Sequence, residues 1–165
     1  MRTGQVGAPD LYLDIESDGA RITVLGLLSS ESGMHQWIGP NIPASAFRST
    51  LPRHGRIFTM NGKGFDLPRV RRATGVDLED RFESIDLLYP ARRAGLRGGQ
   101  KVIERAADFR RYDDIKNLNG RHAIYLWRKF RRGDTDALRI LLRYNRADLY
   151  GLLAIHRYFE GEGIL

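Results

Sequence analysis

Cysteine is missing altogether from the 165 residues, which removes disulfides, thiolate nucleophiles and every Cys-based zinc site. A reducing or redox-indifferent compartment suits such a chain. Long apolar runs are missing too: nowhere do about 18 apolar residues follow one another as a membrane span requires, and the first ten residues hold no apolar stretch of signal-peptide length. A soluble, cytoplasmic protein with no membrane partner is expected. The histidines, His35, His54, His122 and His156, have no metal-ligand spacing, and His156 reads as packing at the core edge. No repeat, low-complexity tract or interdomain linker interrupts the chain, so residues 1–165 are expected to form one domain of ordinary size.

What is present points to a basic, well-patterned globule. Lys and Arg number 27 against 20 Asp and Glu, a net charge of +7 that attracts polyanions such as nucleic acid. Hydrophobic residues make up 42%, enough to close one core. Residues 10–16 alternate as a strand and break at the turn Ser17-Asp18-Gly19. The apolar run 21–30 and the segment 34–38 continue it as a three-stranded antiparallel meander. A short helix over 43–51, a fourth strand over 56–60, a helix from Asp66 towards Thr74 and a fifth strand over 83–89 follow. Helical spacing then fills 100–109, 120–131 and 135–160, with Gly133-Asp134 as a stop and N-cap between the last two.

Carboxylates stand where a core is expected. Asp14 and Glu16 are two apart on a strand and project from one face, close enough to share a cation. Their neighbours Leu11, Leu13 and Ile15 are apolar, so the pair sits on a half-buried element where unpaired charge is expensive. In the last helix the stripe Leu138, Leu141, Leu142, Leu149, Leu152, Ile155 and Phe159 faces the core, and Asp148 falls beside it. Tyr144 precedes Asp148 by one turn and shares its face. Asp66 adds a fourth acid at a strand-to-helix junction. Taken singly, each of these has an ordinary reading as a surface acid, a packed aromatic or a helix cap. Together they make an oxygen-rich set of the kind Mg²⁺ prefers, and ions about 3.5–4 Å apart can clamp both sides of a phosphodiester.

These residues resemble the DEDD superfamily of 3'-to-5' exonucleases, and within it the compact predicted exonucleases of the YprB type. Leu13-Asp14-Ile15-Glu16 is similar to the first exonuclease motif, Asn61-x-x-x-Phe65-Asp66-x-Pro68 to the second, and Tyr144-Asn145-x-x-Asp148 to the third. Gly98-Gly99-Gln100-Lys101-Val-Ile-Glu104 is similar to the Gly-x-Leu-Lys-x-x-Glu segment of that branch, with Gln100 in place of Leu. Arg143 stands where the histidine subclass places His and Tyr144 where the tyrosine subclass places Tyr, so the resemblance is to the tyrosine subclass, DEDDy.

The resemblance implies an α/β, ribonuclease-H-like fold: a mixed five-stranded sheet, three strands antiparallel and then parallel ones, flanked by helices. It implies two divalent ions, Mg²⁺ or Mn²⁺, held by Asp14, Glu16, Asp66 and Asp148, with Tyr144 orienting the attacking water. The expected activity is release of nucleoside 5'-monophosphates from the 3' end of DNA or RNA, single-stranded ends foremost. Asn61 and Phe65 are candidate contacts to the terminal nucleotide, Phe65 by stacking or else as a core residue under its loop. Lys101, with Arg92, Arg93, Arg97 and Arg105, is a candidate flank for backbone phosphates. An endonuclease on the same fold and a non-catalytic nucleic-acid-binding module are the alternatives.

Overall fold

The computed structural model describes residues 8–165, and the expectation about a leader segment in residues 1–7 lies outside them. Strands β1 (Asp10–Ser17), β2 (Ile22–Ser29) and β3 (Gly33–Ile38) form the meander. They are followed by α1 (Ala44–Ser49), β4 (Arg56–Thr59), α2 (Asp66–Thr74) and β5 (Glu83–Asp86). Helices α3 (Leu88–Arg93), α4 (Gln100–Ala106), α5 (Gly120–Phe130) and α6 (Thr135–Gly161) complete the chain. The sheet order is β3-β2-β1-β4-β5, with β1 antiparallel to β2 and parallel to β4, and β4 parallel to β5. This is the mixed five-stranded sheet expected, and β1 is its central strand.

Period-two alternation along β1 divides the core into layers. Leu11, Leu13 and Ile15 point to one face and pack with Leu25, Leu27, Phe47 and Val70 beneath α1 and α2. Tyr12 points to the other face, where Phe58, Ile103, Leu149, Leu152, Ile155 and Phe159 pack beneath α4 and α6. Asp14 and Glu16 share the face of Tyr12, so they are aimed at the long helix and away from the first core layer. A third cluster, with Val24, Trp127, Leu141 and Tyr144, fastens α5 to α6 and to β2.

Capping sets the helix limits near the site. The side chain of Asp134 accepts the Ala137 amide at 3.0 Å and starts α6 as expected. Asn119 and His122 form a reciprocal capping box at the start of α5. Two boundaries differ from expectation: α4 ends at Ala106 rather than at 109, and the fifth strand stops at Asp86, with Leu88 and Tyr89 belonging to α3. The Asp86 carboxylate accepts the amides of Leu88 at 3.1 Å and Asn61 at 2.8 Å, which turns the chain into a helix that tolerates Pro90 in its first turn. His156 is 2% exposed, stacks on Phe58 at 3.8 Å and meets the Tyr12 hydroxyl through Nδ1 at 2.7 Å, a packed residue of the core. Among the described residues no helix is long and apolar enough to cross a membrane.

Candidate active site

Three acids from two distant segments meet in one place. Asp14 and Glu16 on β1 and Asp148 on α6 offer ligand oxygens that all lie within 4.8 Å of one another. Sheet and helix bring them together because α6 crosses the sheet where the backbone is thinnest. Asp14, Gly26 and Gln36 are register partners across β1, β2 and β3. A Cβ on Gly26 would overlap Asn145 Oδ1 and stand 2.9 Å from Leu149 Cδ1, so the missing side chain is what lets α6 lie this close.

Asn145, 0% exposed, uses that closeness fully. Its Nδ2 donates to Asp14 Oδ2 at 2.8 Å, and its Oδ1 accepts from Gln36 Nε2 at 2.8 Å, which also donates to the Leu142 carbonyl at 2.9 Å. Arg111 fixes the opposite acid: its Nη2 donates at 2.5 Å to both Asp148 Oδ1 and Glu104 Oε1, and its Nε donates to Glu104 Oε2 at 2.7 Å. Gln100 completes this side, donating to Glu104 Oε1 at 2.9 Å and to the Asp148 carbonyl at 2.7 Å. Gly151 admits α4 to the seam, since a Cβ there would overlap Glu104 Oε1 and stand 2.9 Å from Gln100 Nε2.

Asp66 stands at the margin of this trio. Its Oδ1 accepts the Ile15 amide at 3.1 Å, taking over from β4, whose pairing with β1 reaches only Tyr12. The structure therefore brings three of the four expected acids into one cluster and ties the fourth to the backbone between two of them. Each of Asp14, Asp66 and Asp148 has one oxygen held by a donor, while Glu16 has no such donor among the described residues.

The electrostatics are those of a site short of positive charge. Burial, then Asp148, Glu16 and Asp66, push the Asp14 carboxyl well above its ordinary range, against the Asn145 bond. Burial followed by Asp148 and Asp66 does the same to Glu16, with Arg111 and Lys101 opposing. Burial raises Asp66 to about 7 despite the Ile15 bond, and raises Asp148 to about 6 despite Arg111. Tyr144 is raised as well, by burial and then by Asp148, Glu16 and Asp14, so its hydroxyl keeps its proton at neutral pH. Hard cations relieve such crowding, and orienting donors leave the remaining oxygens facing inward, so the residues present fit divalent-ion binding.

The other candidate residues have mixed placements. Lys101 donates to the carbonyls of Lys116 at 3.1 Å and of Leu118, with its ammonium 5.3 Å from the centre of the Tyr144 ring. Phe65 is half-buried against the first core layer, under the Arg69 guanidinium at 3.7 Å, and also lines a groove of about 610 Å³ that opens on Glu16. Asn61 is exposed in a left-handed conformation, φ 62°, its amide held by Asp86. Arg92 and Arg97 line a separate concavity with Gly98. Sequence reasoning assigned no part to Arg111, Gln36, Asn145 or Gly26. Asn145 lies three residues after Leu142 and four before Leu149, and a polar residue on that apolar stripe was its signal. Arg111 had none.

Comparisons agree with this architecture. A sequence model described as the RNase_H superfamily matches residues 11–159. No curated protein matches. Among solved structures the chain is similar to the family B DNA polymerase from the hyperthermophilic archaeon Pyrobaculum calidifontis, with a TM-score of 0.73 and 14% identity. That match covers 95% of this chain and 25% of the polymerase, so the chain spans about a quarter of its length.

Proposed function

Because the chain belongs to the RNase_H superfamily, we propose that it is a nuclease of the tyrosine DEDD subclass and YprB type, which removes nucleotides from the 3' end of DNA or RNA. The observation that carries this reading is the convergence of Asp14, Glu16 and Asp148 within 4.8 Å on a face that the rest of the fold makes apolar. The 3' polarity rests on the three motifs occurring in order, with Tyr144 one turn before Asp148.

Asp14, Glu16 and Asp148 would hold one Mg²⁺ or Mn²⁺, and Asp14 with Asp66 a second. Such ions supply Lewis-acid charge at the phosphodiester and acidify a water. Asn145 holds Asp14, and Arg111 holds Asp148, so that neither carboxylate must be ordered when substrate arrives. Tyr144 keeps its proton and so serves as a hydrogen-bond donor that orients the attacking water, while Glu16, lacking a protein donor, has a free oxygen to receive that water's proton. Lys101 places a cation beside Tyr144 at the edge of the cluster.

The test is digestion of 3'- and 5'-labelled DNA and RNA oligomers with Mn²⁺, Mg²⁺ or EDTA. Mononucleotides released from the 3' end only with a divalent ion are expected. Internal fragments from a circular single strand would instead identify an endonuclease, and metal-independent binding without cleavage a non-catalytic module.

A further inference from the structure

Two grooves share the β1–β2 turn and helix α5 as walls. The first, about 610 Å³, opens on Glu16 and is lined by Ser17, Gly19, Arg121 and Ile124. The second, about 650 Å³, lies on the far side of the turn and is lined by Arg21, Trp127, Arg128, Arg131 and Arg132. Ser17 and Gly19 face one and Asp18 and Ala20 the other, so the turn is a saddle between them. Along α5, Arg121, Ile124, Arg128 and Arg131 follow at steps of three, four and three, which places them on one helix face running from the acid cluster outward. Ile124 and Trp127 supply an apolar floor, and the arginines are exposed above it.

Place and charge together separate this track from the other basic concavities: the one lined by Arg92 and Arg97 has none of the clustered acids in its wall, whereas the first groove opens on Glu16. None of Arg21, Arg121, Arg128, Arg131 and Arg132 has a carboxylate oxygen within 4.0 Å among the described residues. Asp18 in the second groove is exposed but caps its own turn, its Oδ1 accepting the amides of Ala20 at 3.0 Å and Arg21 at 2.8 Å, and it forms no ion pair with these arginines. The groove beside Arg111, by contrast, holds Arg110 paired with Asp108 and Arg143 paired with Asp114, and the buried Arg111 closes it off from the acids. Uncompensated guanidinium groups in a row answer a row of phosphates.

Resting on the nuclease reading above, we infer that the body of a single-stranded polynucleotide leaves the acid cluster across the turn and along this face of α5, its phosphates on Arg121, Arg128, Arg131 and Arg132. The helix face is about 16 Å long, the span of about five stacked nucleotides of one strand. A row one helix face wide serves one backbone, and because it offers guanidinium groups and no base-reading pair, DNA and RNA should be gripped alike.

The experiment is the salt dependence of binding of the full chain to fluorescent oligo-dT and oligo-U in Ca²⁺, with Arg128→Gln/Arg131→Gln/Arg132→Gln against Arg110→Gln/Arg146→Gln. Neutralising three phosphate contacts should reduce the log–log salt slope by about 2 on both single strands, at about −0.7 per contact. The Arg110/Arg146 variant should leave the slope alone. Loss of slope in that variant instead, or an unchanged slope in the triple variant, overturns the assignment, as does an equal loss on a blunt duplex. Binding is read without turnover, so a reduced slope in a protein that never cleaves would keep the track and defeat the nuclease reading, and the reverse pattern would do the opposite.

Discussion

Replacing Gly26 by alanine sets local preference against packing. A glycine inside a strand costs about 0.5–1 kcal/mol relative to alanine, so the backbone alone favours Gly26→Ala. The packing opposes it: the new Cβ would overlap Asn145 Oδ1 and approach Leu149 Cδ1 to 2.9 Å and Asn145 Cγ to 3.0 Å, where ordinary contact begins at 3.4 Å. Asn145 cannot turn aside freely, because its amide is held at 2.8 Å by both Gln36 and Asp14. Overpacking costs about 1–3 kcal/mol and a lost bond to a charged acceptor about 1.5–3 kcal/mol. Packing therefore wins, with a net destabilisation of about 1.5–5.5 kcal/mol, or roughly 3–22 °C in Tm for a chain of this size. Urea unfolding followed by circular dichroism, without divalent ions, measures it. In an Asn145→Ala background only Leu149 Cδ1 still crowds the new Cβ and no bond to Asp14 is left to lose, so Gly26→Ala should cost about 2 kcal/mol less than in the native chain, a coupling on the order of 2 kcal/mol. Additivity of the two changes within about 0.5 kcal/mol would refute the close approach of β2 and α6 as the reason for this glycine.

Asp14→Asn should abolish cleavage while raising the metal-free Tm near pH 8, because it removes one of several crowded anions and leaves an oxygen for Asn145; a lower Tm would contradict the charge crowding. Asp66 and Asp148 have folded pKa values of about 7 and about 6, both above the ordinary 3.8, so their protonated forms favour folding. Metal-free stability should thus be greatest below about pH 4 from these groups and decline by a few kcal/mol as pH rises through 6–7, with Mg²⁺ or Mn²⁺ restoring it; a flat profile by calorimetry would count against the site. Arg111→Gln leaves Glu104 and Asp148 without their shared cation, and breaking such a buried pair costs about 3–5 kcal/mol. Calorimetric titration should show divalent-ion affinity falling at least about 10-fold, whereas tighter binding would mean that Arg111 competes with the ion.

Much of this was legible from periodicity. The alternation of β1 separated Leu11, Leu13 and Ile15 from Asp14 and Glu16, and the stripe of α6 located Asp148 and Tyr144 on its edge; both patterns survive in the folded layers. What escaped was governed by contacts between distant segments. Arg111 lies in an irregular stretch between α4 and α5 where no period exists to read, and its role appears only when Glu104 and Asp148 are seen on either side of it. The end of β5 and the start of α3 depend on one carboxylate, Asp86, which accepts amides from its own segment and from the 61–63 loop. Asp66 looked like an equal member of the acid set; its bond to the Ile15 amide gives it a second duty that no spacing reveals.

Position 151 extends the same logic to the whole face on which chemistry would occur. With hydrogen as its side chain, α4 and α6 touch at a seam narrower than any methyl group, and the amide of Gln100 spans it. Any side chain at that point would have to push aside the Glu104 carboxylate and the Gln100 amide, and with them the partner that Arg111 clasps beside Asp148. A single absent carbon thus tunes the distance between counter-charge and cluster, and any redesign of the site for other ions or substrates has to begin by leaving that gap alone.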